Sequence, residues 1–299
     1  MFGAGAYLLW GLFPLYWPLL EPAGALEILA HRIAWSLVIA AGILVVRNRW
    51  GFVRTLLRDP RSLTYLTTAA VLIGGNWMVY IWGVNNGHVV ETSLGYFINP
   101  IVSVLLGVGL LGERLRRLQW VAVGIGTVAV VILTVAYGRL PWIALTLAFT
   151  FAFYGLLKKQ VGARVAAAES LAAETLVLVL PALAVIGWLE VSGRATFGHE
   201  GAGHALLLAS TGPITAVPLL FFAGAARRMT LSTLGLLQYL APVLQFLIGV
   251  AVRHEPMPTS RWIGFGLVWC ALVLLSFDGL ARHRRVRASA RLVPEPAAA

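Results

Sequence analysis

Apolar runs about as long as a bilayer is thick follow one another through this chain, with little polar sequence between them. A helix needs about 20 mainly apolar residues to cross the hydrocarbon core. Ten runs meet that need, at roughly 2–20, 27–46, 64–86, 90–111, 119–137, 141–158, 170–190, 204–225, 230–252 and 260–278. The runs are continuous rather than alternating. Each reads as a helix, because lipid offers backbone groups no partners and a helix satisfies them within the segment. The expectation is an all-α membrane protein with ten transmembrane helices. Only 12% of the 299 residues are charged, about half the fraction of a soluble domain.

The net charge of +11 would suggest a nucleic-acid partner in a soluble protein; here its distribution reports topology, and no nucleic acid is expected. The loop after span 2 holds Arg47, Arg49, Arg54, Arg58 and Arg61, and that after span 4 holds Arg114, Arg116 and Arg117. Lys158, Lys159 and Arg164 follow span 6, Arg227 and Arg228 follow span 8, and Arg282, Arg284, Arg285, Arg287 and Arg291 follow span 10. These are 18 of the 23 Lys and Arg; the opposite loops hold only Arg139, Arg194, Arg253 and Arg261, and Arg32 lies within span 2. By the positive-inside rule both termini are cytoplasmic. The basic tail, 281–299, is a topology signal and solvated end, or else a segment that attracts anionic lipid. Cys270 is the single cysteine, which excludes an intramolecular disulfide framework. No basic segment precedes span 1, so no cleavable signal peptide is expected.

The chain also repeats itself. FINPIVSVLLGVGLLGERLRRLQW aligns without gaps on YLAPVLQFLIGVAVRHEPMPTSRW at an offset of 142 residues, matching Pro100 with Pro242, Gly107 with Gly249, Glu113 with Glu255 and Trp120 with Trp262. Glu27 meets Glu169 and Arg32 meets Glu174 at the same offset. Two five-helix units follow, 1–137 and 138–280. Five is odd, so the second enters the membrane inverted, with Glu113 at the cytoplasmic face and Glu255 at the external face. Inverted repeats are a transporter architecture with the substrate site near the midplane; a duplicated membrane scaffold or enzyme is the alternative.

The segment VNNGHVVETSLGYFINP (84–100) carries polar groups into such a span. On a helix Glu91, Gly95, Asn99, Ser103 and Gly107 recur every four residues and share a face, and polar groups at depth must face protein or water. Pro100 lacks an N–H and disfavours helical geometry at Asn99, so a kink is expected at mid-span. Span 9 repeats the design with Gly235, Gln238, Pro242, Gln245 and Gly249, and Pro242 again central. Paired Pro-interrupted segments point to a transport site. The stretch is expected to form one wall of a polar cavity; packing of a Pro-containing helix is the plainer alternative. Asn85, Asn86 and His88 are placed in an external turn.

Arg32 lies roughly 9 Å into span 2 at about 1.5 Å per residue, where an unpaired charge is costly. It is expected to pair with Glu91 or with an anionic group of a substrate, or else to snorkel. His31 adjoins it. Glu174, equivalent to Arg32 but nearer the cytoplasm, is expected to pair with Lys158. Oppositely charged mouths would orient an amphoteric substrate. Asn76 and Tyr80, one turn apart, with Trp77, Trp10, Tyr96, Tyr154 and Tyr239, add polar and aromatic surface suited to an apolar or cationic part of a ligand. Most other Trp suits an interfacial belt. Glu91, Glu174 and His31 are candidates for proton coupling. There is no Walker motif, HExxH or paired-cysteine signature, so ATP-driven pumping, bound metal and cofactors are not expected. A membrane enzyme acting on lipid-linked substrates would need His31, Arg32 and Glu91 to form a catalytic cluster. Gly107, Gly124 and Gly126 serve helix contacts within one chain or between two, so the chain is a monomer or homodimer.

LWGLFPLYW (9–17), NWMVYIWGVNNGH (76–88), SLGYFINPIVSVLLG (93–107), LGERLRRLQW (111–120) and LAFTFAFYGLLKK (147–159) closely resemble the RarD permeases. This is the chloramphenicol-sensitivity group in the EamA branch of the drug/metabolite transporter superfamily. The resemblance spans nearly the whole chain. It implies ten helices in two inverted halves, alternating access and a bacterial plasma-membrane location, with a small polar or amphiphilic metabolite or a drug as substrate. The second half departs from the first: Ala241 stands where Asn99 would repeat, and HEP (254–256) replaces GER (112–114).

Overall fold

The computed structural model describes residues 2–112, 114–161, 167–226 and 237–291. Glu113, Arg164, Arg227, Arg228, Gly235 and residues 292–299 lie outside the described residues, as do the side chains of Lys159 and of 279–291.

Every regular element among the described residues is helical. The first apolar run, carrying Pro14 and Pro18, is broken into α1 (Phe2–Gly11), α2 (Phe13–Tyr16) and a 3₁₀ turn (Trp17–Leu20). Each proline removes an N–H from the ladder. Then come α3 (Ala25–Val46), α4 (Gly51–Leu57), α5 (Pro60–Asn85), α6 (Val89–Leu111) and α7 (Arg117–Tyr137). The remainder is α8 (Trp142–Val161), α9 (Ala167–Val191), α10 (Gly201–Ala226), α11 (Leu240–Leu247) with a π turn (Ile248–Val252), and α12 (Thr259–Arg291). Among the described residues seven helices are long and apolar enough to cross a membrane, and Trp142–Lys158 and Leu240–Val252 are shorter apolar helices. The chain is a multi-pass helical membrane protein.

Local chemistry sets the boundaries. Asp59 accepts from the backbone N–H groups of Arg61 and Ser62, and Pro60 follows as the first helical residue, where its missing N–H costs nothing. Gly112 and Gly138 end α6 and α7 in left-handed conformation, at φ 65° and 64°, a backbone state that glycine adopts without a Cβ penalty. α4 was not anticipated: the loop after span 2 was read as basic only. α12 continues through the expected tail to Arg291, because no proline interrupts it before Pro294.

α6 continues through Asn99 and Pro100 as one helix; neighbouring helices let a membrane helix tolerate proline. A turn at Gln238 and Tyr239 precedes α11, and Pro242 lies in the first turn of that helix, whose N-cap is Tyr239. A first-turn N–H has no intrahelical acceptor to lose.

α3 packs on α9, α7 on α12 and α6 on α11. α5 packs on α8 as α1 does on α10; α6 on α8 as α1 on α11; α5 on α9 as α3 on α10. Bare backbone makes the closest approaches. A Cβ on Gly212 of α10 would lie 2.6 Å from the Trp35 carbonyl oxygen of α3, and one on Gly95 of α6 would lie 2.8 Å from that of Ala144 of α8. Gly126 likewise meets Ile101 within the chain, whereas Gly124 faces open space. Val90, Leu94, Phe97 and Ile98 of α6 interlock with Leu133, Phe246 and Phe265 in the largest buried cluster.

Candidate functional site

The polar centre is built around Arg32. Its side chain is 3% exposed. Nε donates to Thr215 Oγ1 of α10 at 2.9 Å. The guanidinium lies over Trp77 at 4.0 Å, with Trp17 at 5.2 Å and Phe13 at 5.8 Å. Tyr16, Tyr80 and Tyr96 lie within its electrostatic reach. Among the described residues no carboxylate pairs with it. Of the phenols, Tyr16 bonds Ser210 at 2.8 Å and the Leu207 carbonyl at 2.9 Å, and Tyr96 donates to Asn76 Oδ1 at 3.3 Å. The Tyr80 hydroxyl and the Trp17 indole N–H are buried without a partner. Asn76 is fully engaged, its amide donating to the Leu147 carbonyl at 3.1 Å and to Thr150 Oγ1 at 2.9 Å; it ties α5 to α8.

At one end of the bundle three carboxylates fasten separate segments together. Glu91 pairs with Arg139, Oε2 to Nη2 at 2.6 Å, and accepts from Ile143 N–H at 3.2 Å, joining α6 to the start of α8. Glu255 accepts from Val89 and Val90 N–H at 2.5 and 2.9 Å, at the N-terminus of α6, where the helix dipole favours an anion. Glu27 of α3 accepts from Thr196 and Phe197 N–H at 2.7 and 3.1 Å. Burial raises the Glu255 carboxyl above its ordinary value, against the pull of the two N–H donors and of Arg253 and Arg261. Burial likewise lowers His88, with Arg139 and Arg261 adding and Glu91 opposing.

Towards the other end, Glu174 gathers a second cluster. Lys158 Nζ reaches its Oε1 at 2.6 Å, the pair expected from the sequence. Tyr154 donates to both carboxylate oxygens at 3.3 Å, Ser170 donates at 3.0 Å, and Lys158 also bonds Ser170.

The expected pairing of Arg32 with Glu91 is corrected: Arg139 takes the carboxylate. His31 stacks on Phe197 at 4.5 Å, so His31, Arg32 and Glu91 do not assemble the cluster an enzyme would need. Trp10 packs against Tyr7 and Phe222, and its carbonyl accepts from Gln245 at 3.2 Å. Asn99 accepts from Ser103 at 3.3 Å. Gln238 is exposed in the turn before α11, and Tyr239 caps that helix; neither joins the Arg32 group. Trp17, Phe13, Tyr16 and Thr215 were missed. The two prolines in LFPLYWP were the available signal, since a broken span can turn its aromatics inward. Nothing in the sequence singled out Thr215, Arg139 or the latch made by Glu27.

The sequence pattern of the EamA-like transporter family matches residues 1–135 and again 140–277. The chain is 59% identical over 288 residues to Protein RarD of Streptomyces exfoliatus, covering 96% of this chain and 91% of that one. It is 45% identical to the uncharacterized transporter YojE of Bacillus subtilis, over 93% of each. A crystal structure of a protein 18% identical in sequence superposes with a TM-score of 0.59, over 91% of this chain and 95% of that one; it supports the fold alone.

Proposed function

The chain belongs to the EamA-like transporter family, and from that membership we propose that it is a secondary permease working by alternating access. It moves a small polar or amphiphilic metabolite or a drug across the bacterial plasma (inner) membrane. Its ten spans form two inverted five-helix repeats, 1–137 and 138–280, with both termini cytoplasmic. Three observations support the repeat: the 142-residue offset, the double match of the family pattern, and a helix packing in which the main pairings survive exchanging the two halves. Such symmetry supplies two similar-energy arrangements, one open to each side.

The observation that carries the function is the buried Arg32 group. A cation with no carboxylate partner among the described residues, lying over Trp77 with Trp17 and Phe13 close by inside an apolar bundle, is a large cost for a scaffold and a natural centre for a ligand. The Glu91, Glu255 and Glu27 contacts latch the external end. Lys158, Tyr154 and Glu174 shape the cytoplasmic mouth. Protons coupled to transport would pass through Glu174, Glu91 or His31. The protein works in the bilayer as a monomer or homodimer.

The test is uptake by sealed proteoliposomes offered a mixed metabolite and amphenicol pool, read by mass spectrometry. Empty vesicles and an Arg32→Ala protein of native helicity are the controls. Accumulation by the wild type alone is expected. Equal uptake by Arg32→Ala would remove Arg32 from the pathway, and no flux under any imposed proton gradient would overturn the permease.

A further inference from the structure

Three buried carboxylates at the two ends are held by named groups: Glu27 by Thr196 and Phe197 N–H, Glu91 by Arg139, and Glu174 by Lys158. The half-buried Glu255 is held by Val89 and Val90 N–H. Arg32 has no carboxylate partner among the described residues. Of its five N–H donors, only the Nε–H has a hydrogen-bond partner among the described residues. Guanidinium donors lie in a rigid planar fork that matches a carboxylate bidentately. Two further donors in the surrounding aromatic cluster have no partner, the Tyr80 hydroxyl and the indole N–H of Trp17, whose ring lies 5.2 Å from the guanidinium. Buried polar groups are nearly always satisfied, so these two unpartnered donors and the free end of the guanidinium mark a place where something else supplies acceptors.

The rest of the surroundings define that something. Phe13, Trp17 and Trp77 flank the guanidinium, and Tyr80 and Tyr96 meet edge to face at 5.7 Å. Phe13, Trp17 and Tyr80 belong to one buried cluster with Trp10, Tyr16 and Tyr96 packed against it, and Trp77 packs against the adjoining Ala30, Ile33 and Ala182 cluster. The cluster offers no free carboxylate for an ammonium group, and one cation neutralises one negative charge.

We propose that Arg32, Tyr80 and Trp17 form a binding site for an organic monoanion: a carboxylate held by the Arg32 fork and the Tyr80 hydroxyl, with an aromatic or apolar body among Trp17, Trp77 and Phe13. This deepens the permease assignment and rests on it, since the site is the bundle's central ligand position. It replaces the amphoteric substrate suggested by opposite charges in the two halves. Glu174 is committed to Lys158 and is not available to an ammonium group.

The test separates binding from transport. Full-length protein in lipid nanodiscs is titrated calorimetrically with benzoate, phenylacetate, 3-phenylpropionate and indole-3-acetate, and with phenylacetamide and phenethylamine as the neutral and cationic counterparts. The proposal expects saturable binding of at least one carboxylate and none of the amide or amine. It expects a Kd at least about tenfold weaker in Arg32→Gln, since a charge-assisted hydrogen bond is lost. Tyr80→Phe, which keeps the ring and its packing, weakens the carboxylate about threefold to tenfold. Arg32→Lys keeps the charge but not the fork, and falls between wild type and Arg32→Gln. Absence of binding by every carboxylate overturns the site, as does equal affinity for phenylacetamide or indifference to both Arg32→Lys and Tyr80→Phe. Flux of the bound carboxylate is then measured in liposomes from the same preparation. Binding without flux leaves the monoanion site standing and overturns the permease assignment alone.

Discussion

Replacing Arg139 by Gln tests whether the Glu91 latch is a structural bond or a surface coincidence. The Glu91 side chain is 1% exposed, and its carboxylate takes Arg139 Nη2 at 2.6 Å, Nη1 at 3.3 Å and the Ile143 N–H at 3.2 Å. Without Arg139 a buried anion keeps one neutral donor. Breaking a fully buried ion pair costs about 3–5 kcal/mol. The Arg139 side chain is 37% exposed, so solvent already screens part of that attraction and the loss falls to about 2 kcal/mol. Glu91→Gln removes the anion and keeps an acceptor for Ile143, costing about 1 kcal/mol, the worth of an ordinary hydrogen bond. Glu91→Gln/Arg139→Gln strands no charge, so it is more stable than Arg139→Gln alone. The assay is reversible unfolding by SDS titration, followed by far-ultraviolet circular dichroism, with a thermal scan in parallel. Arg139→Gln should lower the transition by at least about 4 °C, and the double variant should recover part of it. An Arg139→Gln protein within about 0.5 kcal/mol of wild type, or a double variant showing the plain sum of two losses, would refute the reasoning.

Gly212→Ala should destabilise by about 1–3 kcal/mol, because its Cβ would lie 2.6 Å from a Trp35 carbonyl that a helix backbone cannot withdraw; Gly124→Ala, facing open space, should be neutral in the same unfolding assay. Lys158→Met strands buried Glu174 and should cost more than Lys158→Met/Glu174→Gln, with the difference read by thermal fluorimetry. Burial holds the Glu255 carboxyl above its ordinary value, so the docked loop binds its proton more tightly than an undocked loop does. Docking therefore gains as pH falls through the raised value and loses that increment above it. Arg253, Arg261 and Tyr137 are the charged and titratable groups that act on Glu255. A spin label at Pro256→Cys in a Cys270→Ser background should become less mobile as pH falls, and a label insensitive to pH would contradict this.

The helical membrane fold was legible because apolar length alone dictates it. Arg47 ends α3 and Gly112 and Gly138 end α6 and α7 close to the run boundaries. Lys158 with Glu174 was legible too, since two opposite charges near one end of adjacent spans have few other partners. Arg139 was not, because an arginine between spans 5 and 6 reads as a topology residue until folding brings α8 against α6. The prolines were legible only as missing N–H donors, whose cost depends on register and packing: Pro100 lies inside a continuous helix, and Pro242 falls in a first turn that needs no donor. Trp17 and Tyr80 beside Arg32 come from three separate elements, a convergence that no linear spacing encodes.

The central claim is that the two ends of the bundle open in alternation. It is tested by pulsed electron–electron double resonance in nanodiscs, in a Cys270→Ser background. One label pair sits at Asn86 and Pro256, across the Glu91 end, and another at Arg61 and Phe277, across the opposite end. The latch is then released by Arg139→Gln with Glu255→Gln. Alternating access predicts that the first pair gains a longer-distance population and the second a shorter one, in equal fractions. Loosening of the Glu91 end with no change at the other would contradict it.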